Sequence, residues 1–189
     1  MDGFPFGRPS DAIFQMAYYV PDIEAGMEWW TAQFGVGPWF VIDRIGGSGV
    51  TYRGRPANAE FRIALGYSGY LNIELVQTLD DRPSIYKEAR EKRGYGFHHV
   101  AKAVPNLQES VAAHRALGCT VLHHSPTPGG GQVYILDGGG DGPGMIELVE
   151  DVPATREIFT AIRQASVGWD GGNPRRDFAE ALTGLATVD

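Results

Sequence analysis

Two stretches of the chain carry the same pattern of apolar and polar positions. "QMAYYVPDIEAGMEWW" (15–30) and "HVAKAVPNLQESVAAH" (99–114) each open on a side chain able to bind a metal, alternate to Val-Pro, and continue with Asp22 or Asn106. Alternation marks a strand with one buried face. Asp22 and Asn106 suit helix N-caps, because their side-chain oxygens can accept the free amides of a first turn. Ile23, Met27, Trp30 and Phe34 then recur at helical spacing, as do Leu107, Val111 and His114, and each set predicts one buried stripe. A second echo pairs "NIELVQ" (72–77) with "MIELVE" (145–150), which sets Glu74 against Glu147. Between helix and final strand, the first half offers "PWFVID" and "EFRIALGY", and the second "TVLHH" and "GQVYILD". Each half therefore reads as strand, helix, then three strands. One such unit is too small to close its own core, so the two are expected to pair.

The boundaries that follow are an N-terminal extension (1–12), a first module (13–78), a connecting segment (79–96), a second module (97–150) and a C-terminal arm (151–189). In the arm, "ATREIFTAIRQA" is helical by pattern, with Ile158, Ile162 and Ala165 on one face. "GWDGGNPRRD" breaks it, and "FAEALTGL" predicts a short last helix. The arm has no counterpart in the first half and is expected to pack or to make dimer contacts.

Composition narrows the function classes. The 189 residues are 43% hydrophobic and carry a net charge of −7, with a pI near 5.2. The basic residues form no run, which argues against nucleic acid or an anionic membrane as partner. The longest apolar stretches are strand-length, short of the roughly 20 residues of a bilayer span. The opening "MDGFPFGRPS" lacks a signal-peptide layout. Cys119 is the single cysteine, which fits a reducing cytoplasm, and is read as buried and inert. Glycine clusters such as "GGGDGPG" precede the strand-like "MIELVE" rather than a helix with Lys, so they are turns and not phosphate loops.

Histidines are the chemically informative residues. In "GFHHVAKAVPNL" (96–107), alternation sets His98 and His99 on opposite faces. Superposed on "IFQMAYYVPDIE", His99 falls on Gln15 and His98 on a packing position. His114 is read as a core residue. Of His123 and His124, one is expected at a cavity rim and the other in solvent.

The doubled strand–helix–three-strand pattern resembles the vicinal oxygen chelate superfamily, which includes glyoxalase I, methylmalonyl-CoA epimerase, extradiol dioxygenases and bleomycin-resistance proteins. The resemblance spans roughly 13–150, through "FQMAYYVPDIEAGMEWWTAQFGVGPWF", "LNIELVQ", "FHHVAKAVPN" and "GPGMIELVE", and is closest to the glyoxalase-like metal-binding members. It implies an α+β fold of two βαβββ modules forming an open barrel around a metal, with ligands from the first and last strands of each module. Those ligands are Gln15, Glu74, His99 and Glu147. Three oxygens and one imidazole suit one divalent ion (Zn, Mn, Co, Ni or Fe(II)) with two positions open to substrate. The chemistry implied is isomerase, epimerase or glyoxalase-type lyase, with Glu147 or Glu74 as the base and Glu147 preferred.

The substrate expected is a small apolar or aromatic carbonyl compound, in a pocket drawn from Trp39, Phe40, Tyr52, Arg62, Tyr70 and Tyr134, and the assembly expected is a homodimer. Basic residues for a glutathione or coenzyme A moiety find no clear place among Arg44, Arg53, Arg55 and Arg62. Two other readings stay open. One is an extradiol dioxygenase, although Gln15 stands where its first His would be. The other is a metal-free small-molecule-binding protein of the drug-resistance kind.

Overall fold

The computed structural model describes residues 11–139 and 144–183. In the first half, β1 (Ile13–Tyr19) leads into α1 (Ile23–Phe34), β2 (Trp39–Ile45), the hairpin β3 (Thr51–Tyr52) and β4 (Arg55–Pro56), β5 (Phe61–Ser68) and β6 (Leu71–Thr78). After α2 (Ile85–Arg93), the second half runs β7 (Gly96–Val104), α3 (Leu107–Ala116), β8 (Thr120–Pro126), β9 (Gln132–Asp137) and β10 (Met145–Glu150). The chain then adds α4 (Pro153–Ser166), β11 (Arg175–Asp177) and α5 (Ala179–Thr183). The first ten residues and the end of "FAEALTGL" lie outside the described residues.

The strands form one sheet in the order β11-β2-β5-β6-β1-β7-β10-β9-β8-β3-β4. Within each half the first and last strands lie side by side and parallel, β1 with β6 and β7 with β10. The halves join where β1 meets β7 antiparallel. This is the α+β open barrel of two modules, with the seam at its centre. The hairpin β3–β4 leaves the first half to extend the edge of the second at β8.

Local chemistry fixes the two module helices as the patterns imply. Asp22 accepts the amides of Glu24 and Ala25, and Asn106 accepts that of Glu109. Gly35 ends α1 in the left-handed region (φ 63°), where its amide reaches the Thr31 carbonyl, a conformation that costs glycine little. Burial on α1 stops at Ile23 and Met27. Phe34, in the last turn, is 56% exposed and stacks on Trp29 and Trp30 instead. His114 is also not core: it is half-buried at the end of α3, with Nδ1 2.7 Å from the Ser110 carbonyl. Cys119 is half-buried rather than enclosed, packed at the edge of the cluster under α3.

The core separates by sheet face. On the outer face, α1 covers Trp39, Val41, Ala64, Ile73 and Leu75, while α3 covers Val104, Leu136 and Leu148. The inner face carries two clusters. One, built on Phe14, Phe40, Leu65, Val133 and Val149, is closed by Ile158, Phe159 and Ile162 of α4 with Phe178. The other, with Tyr19, Phe61, Leu122 and Ile135, is closed by Ile85 and Tyr86 of α2. Burying each such side chain is worth about 1.5–3 kcal/mol, which is what holds α2 and α4 in the mouth of the barrel. No helix among the described residues is long and apolar enough to cross a membrane.

Candidate metal centre and active site

Strand register brings the ligand-type side chains together. Glu74 of β6, Ala17 of β1 and His99 of β7 lie on one level of the sheet, and Gln15, Ala101 and Glu147 on the next. The residues between the functional side chains are thus Ala17 and Ala101, both fully buried. They stand at equivalent places in the repeat, two residues after Gln15 and His99, and on the same face. Their methyl groups form a low floor over which longer neighbours converge. All four candidate ligands come from one chain.

The geometry is tight. Gln15 Nε2 donates to Glu74 Oε2 at 2.5 Å. His99 Nε2 lies 3.3 Å from Glu74 Oε2 and 3.4 Å from Glu147 Oε2. One ligand atom from each of Glu74, His99 and Glu147 falls within 4.8 Å of the others. Gln15, Glu74 and His99 are buried, and Glu147 is the most open, its side chain 12% exposed.

Electrostatics follow from this crowding. Burial raises the Glu74 carboxyl above the usual range, and the Glu147 charge adds to that against the opposing pull of His99 and Gln15. Burial alone would lower His99, but Glu147 and Glu74 outweigh it and push the imidazole up to about 10. A site that holds a proton so firmly carries surplus negative charge.

A divalent ion fits this donor set. His99 Nε2 is fully buried and aligned with no hydrogen-bond partner, although two carboxylates stand beside it. Two carboxylate oxygens, one imidazole nitrogen and one amide oxygen would neutralise a +2 charge. Gln15 would have to present Oε1 where its nitrogen now faces Glu74, a half-turn of the amide group.

The bond between His98 and His99 departs from simple alternation. Their Nδ1 atoms are 2.9 Å apart, and both rings are buried. The cause is a β-bulge: Ala17 pairs with His99 and Tyr18 with Phe97, so His98 is an extra residue. A bulge re-aims the inserted side chain. Its ring, kept neutral by burial and by His99, stacks on Tyr86 of α2 at 4.6 Å. The same irregularity precedes Gln15. Ile13 pairs with Lys102 and Gln15 with Ala101, which leaves Phe14 as the extra residue. Phe14 packs edge-on against Phe159 of α4 at 4.9 Å. Gln15 and His99 are thus each preceded by a bulged residue that packs on the helix closing that side of the barrel.

Between these helices lies a cavity of about 190 Å³. Its walls include Gln15, Glu74 and Glu147, with Phe61, Ile63, Leu65, Val133, Ile135 and Val149 from the strands. Tyr86 of α2 and Thr155, Ile158 and Phe159 of α4 complete it, with Phe178 before α5. Exposed lining residues, Gly46, Ser48, Pro126 and Pro128, mark its mouth. The ionisable groups among the described lining residues are Glu74, Glu147, His123 and Tyr86, and none is Lys or Arg.

None of the six aromatic and basic residues expected in the pocket lines this cavity. Trp39 is buried on the outer face, its indole donating to Thr31. Phe40 is packed into the inner core behind the wall. Tyr52 sits on the hairpin and donates to Glu88 at 2.5 Å. Arg62 faces outward to Asp43 at 3.2 Å, because Phe61 and Ile63 on either side face in. Tyr134 stacks on His124 outside the barrel, again between two inward residues, Val133 and Ile135. Tyr70 is exposed in the β5–β6 turn beneath Arg163.

His123 lines the cavity, bonded to Ser125 and held neutral by burial, with its pKa down to about 4. His124 faces the other way and meets Gln132. The lining from α4 was not readable in advance. The stripe of Ile158 and Ile162 announces a helix but not the surface it covers.

Known proteins share this architecture. Mycobacterium tuberculosis methylmalonyl-CoA epimerase superposes with a TM-score of 0.56 at 20% identity, over 77% of this chain and 91% of that one. A Streptomyces coelicolor methylmalonyl-CoA epimerase in complex with 2-nitronate-propionyl-CoA gives 0.55 at 19% identity, over 77% and 98%. The hypothetical protein BH1468 from Bacillus halodurans C-125 gives 0.55 at 20%, over 75% and 94%. At these identities the likeness speaks for the fold. No curated protein sequence matches the chain. The family model described as "Glyoxalase/Bleomycin resistance protein/Dioxygenase superfamily" matches residues 14–136, from the bulge before Gln15 to the end of β9. With its paired modules meeting at the β1–β7 seam, the chain belongs to that superfamily.

Proposed function

We propose that the protein is a divalent-metal-dependent enzyme that moves a proton beside the carbonyl of a small, largely apolar substrate, as an isomerase or epimerase or in a glyoxalase-type rearrangement. The observation that carries this reading is the convergence of Glu74, His99 and Glu147 within 4.8 Å at the wall of a largely apolar cavity. Gln15, Glu74, His99 and Glu147 would hold the ion, which when bound supplies Lewis-acid polarisation of a substrate carbonyl.

The chain's own residues divide the remaining work. Glu147 is the more exposed of the two carboxylates and faces the cavity, so it suits the base that takes a proton from the carbon next to the carbonyl and returns it. Return to the opposite face of that carbon epimerises it, and return to the neighbouring carbon isomerises the substrate. Phe61, Ile63, Leu65, Ile135 and Val149 give this end of the cavity mostly apolar walls. Epimerases among the structural neighbours agree with this class of reaction.

Solvent exchange tests it. Protein loaded with Mn²⁺ in D₂O should incorporate deuterium next to the carbonyl of at least one member of a panel of small apolar ketones, read by NMR. Glu147→Gln should remove the exchange while keeping the fold. Exchange that survives Glu147→Gln would refute the assignment.

A further inference from the structure

The face of the cavity formed by α4 lies outside the part of the chain that the family model matches, which ends at residue 136. It carries unpaired polar groups. Thr155 is 4% exposed, lines the cavity, and its hydroxyl has no hydrogen-bond partner. The Thr127 hydroxyl, on the loop facing it, lines the cavity and is likewise buried and unpartnered. An unmet buried hydroxyl is costly enough that a native site usually supplies a partner.

Thr155 belongs to the first turn of α4, whose N-cap residue, Val152, provides no side-chain acceptor. The first amides of a helix have no partner inside it and attract negative partial charge. Gly129 packs close against this corner: a Cβ there would stand 3.0 Å from the Thr155 hydroxyl, 3.2 Å from Ile158 Cδ1 and 3.3 Å from the Thr155 amide nitrogen, and would cover the hydroxyl.

The corner is separated from the acid–imidazole cluster along the sheet. Glu147 lies three residues before the end of β10, a rise of about 10 Å, and α4 begins only after that end. Inward-facing Val149 and Val133 span the interval. The cavity therefore has a polar site at each end and an apolar middle. With no Lys or Arg in its described lining and two carboxylates at the far end, it lacks the charge to receive an anion.

We propose that the first turn of α4, through the Thr155 hydroxyl, is a second anchoring subsite that hydrogen-bonds a neutral oxygen acceptor at the distal end of the substrate. The substrate is then an uncharged, apolar-bodied molecule with two oxygen functions, one at each end. The carbonyl end of this assignment rests on the proposed function, whereas the α4 end does not.

The test measures dissociation constants by ligand-observed NMR for acetophenone, 1,4-diacetylbenzene and 4-acetylbenzoate, on the full chain with and without Mn²⁺. The diketone should bind about five-fold more tightly than acetophenone, the worth of one added neutral hydrogen bond. Thr155→Val, close in shape, should erase that advantage and leave acetophenone unchanged. Gly129→Ala, whose backbone is not in the left-handed region, should erase it independently by covering the corner. A diketone advantage that persists in both variants overturns the subsite, and tighter binding of 4-acetylbenzoate than of the diketone overturns the neutral-ligand assignment. Loss of Mn²⁺ binding with the diketone advantage intact would remove the proposed metal chemistry and leave this subsite standing. Normal Mn²⁺ binding without the advantage would do the reverse.

Discussion

Ala101 offers the most discriminating perturbation of the site. It is fully buried and in register with both Gln15 and Glu147, so two added methyl groups in Ala101→Val would rise where those side chains converge. Valine suits a strand, and the backbone cost is negligible. Overpacking a close-packed interior costs about 1–3 kcal/mol. For a chain of this size each kcal/mol lowers Tm by about 2–4 °C, so a fall of several degrees is expected. If the floor is low in order to let the side chains meet around an ion, affinity should fall much more than stability does. We expect at least a tenfold loss of Mn²⁺ affinity by calorimetry, equivalent to about 1.4 kcal/mol.

Ala103→Val is the matched control. Ala103 is equally buried and faces the same inner cluster, but pairs with Val149, away from the acidic side chains. It should lose similar stability and keep its metal affinity. Equal metal loss in both variants, or none in Ala101→Val despite a lower Tm, would mean that the low floor at Ala101 is not what lets the ligands meet.

His98→Ala should weaken metal binding by about ten- to a hundred-fold, as loss of a partner that orients a ligating histidine does, with intact strands by circular dichroism; unchanged affinity would mean the Nδ1–Nδ1 contact does not orient His99. His123, held neutral with its pKa near 4, binds its proton more readily in the unfolded chain, where its pKa is about 6.5. Its contribution to stability is therefore complete above pH 6.5 and is lost as pH falls from 6.5 to 4. Tm measured across that window should fall less steeply for His123→Gln than for the unaltered protein, and parallel slopes would count against a neutral buried imidazole.

The repeat made the sheet legible. Alternation up to each Val-Pro and the echo of the two "IELV" segments place β1, β6, β7 and β10, and pairing of these strands is what sets Gln15, Glu74, His99 and Glu147 side by side. Period-two reasoning failed at Phe14 and His98 because a bulge is decided between strands, by the register of β1 on β7, and leaves no mark on either strand alone. Arg62 and Tyr134 face away from the cavity for a different reason. Alternation turns their neighbours Phe61, Ile63, Val133 and Ile135 inward, so position along the strand, and not aromatic or basic character, decides which side chains meet the cavity. Helix α2 carries Ser84 as its N-cap, with the hydroxyl on the Lys87 amide. That cap stands in a segment with little apolar periodicity, so the helix shows in the Ser84 cap rather than in a buried stripe. The destination of α4 could not be read, since an unpaired amphipathic stripe specifies burial without naming the surface it meets.

The proposed function stands on Gln15, Glu74, His99 and Glu147 forming one divalent-ion site inside a single chain. Calorimetric titration of the chelator-treated protein with Mn²⁺ and Zn²⁺, beside His99→Ala, decides whether they do. One equivalent bound by the unaltered protein and none held tightly by His99→Ala is the predicted result. Absence of saturable binding in the unaltered protein, or equal binding by the variant, would contradict it.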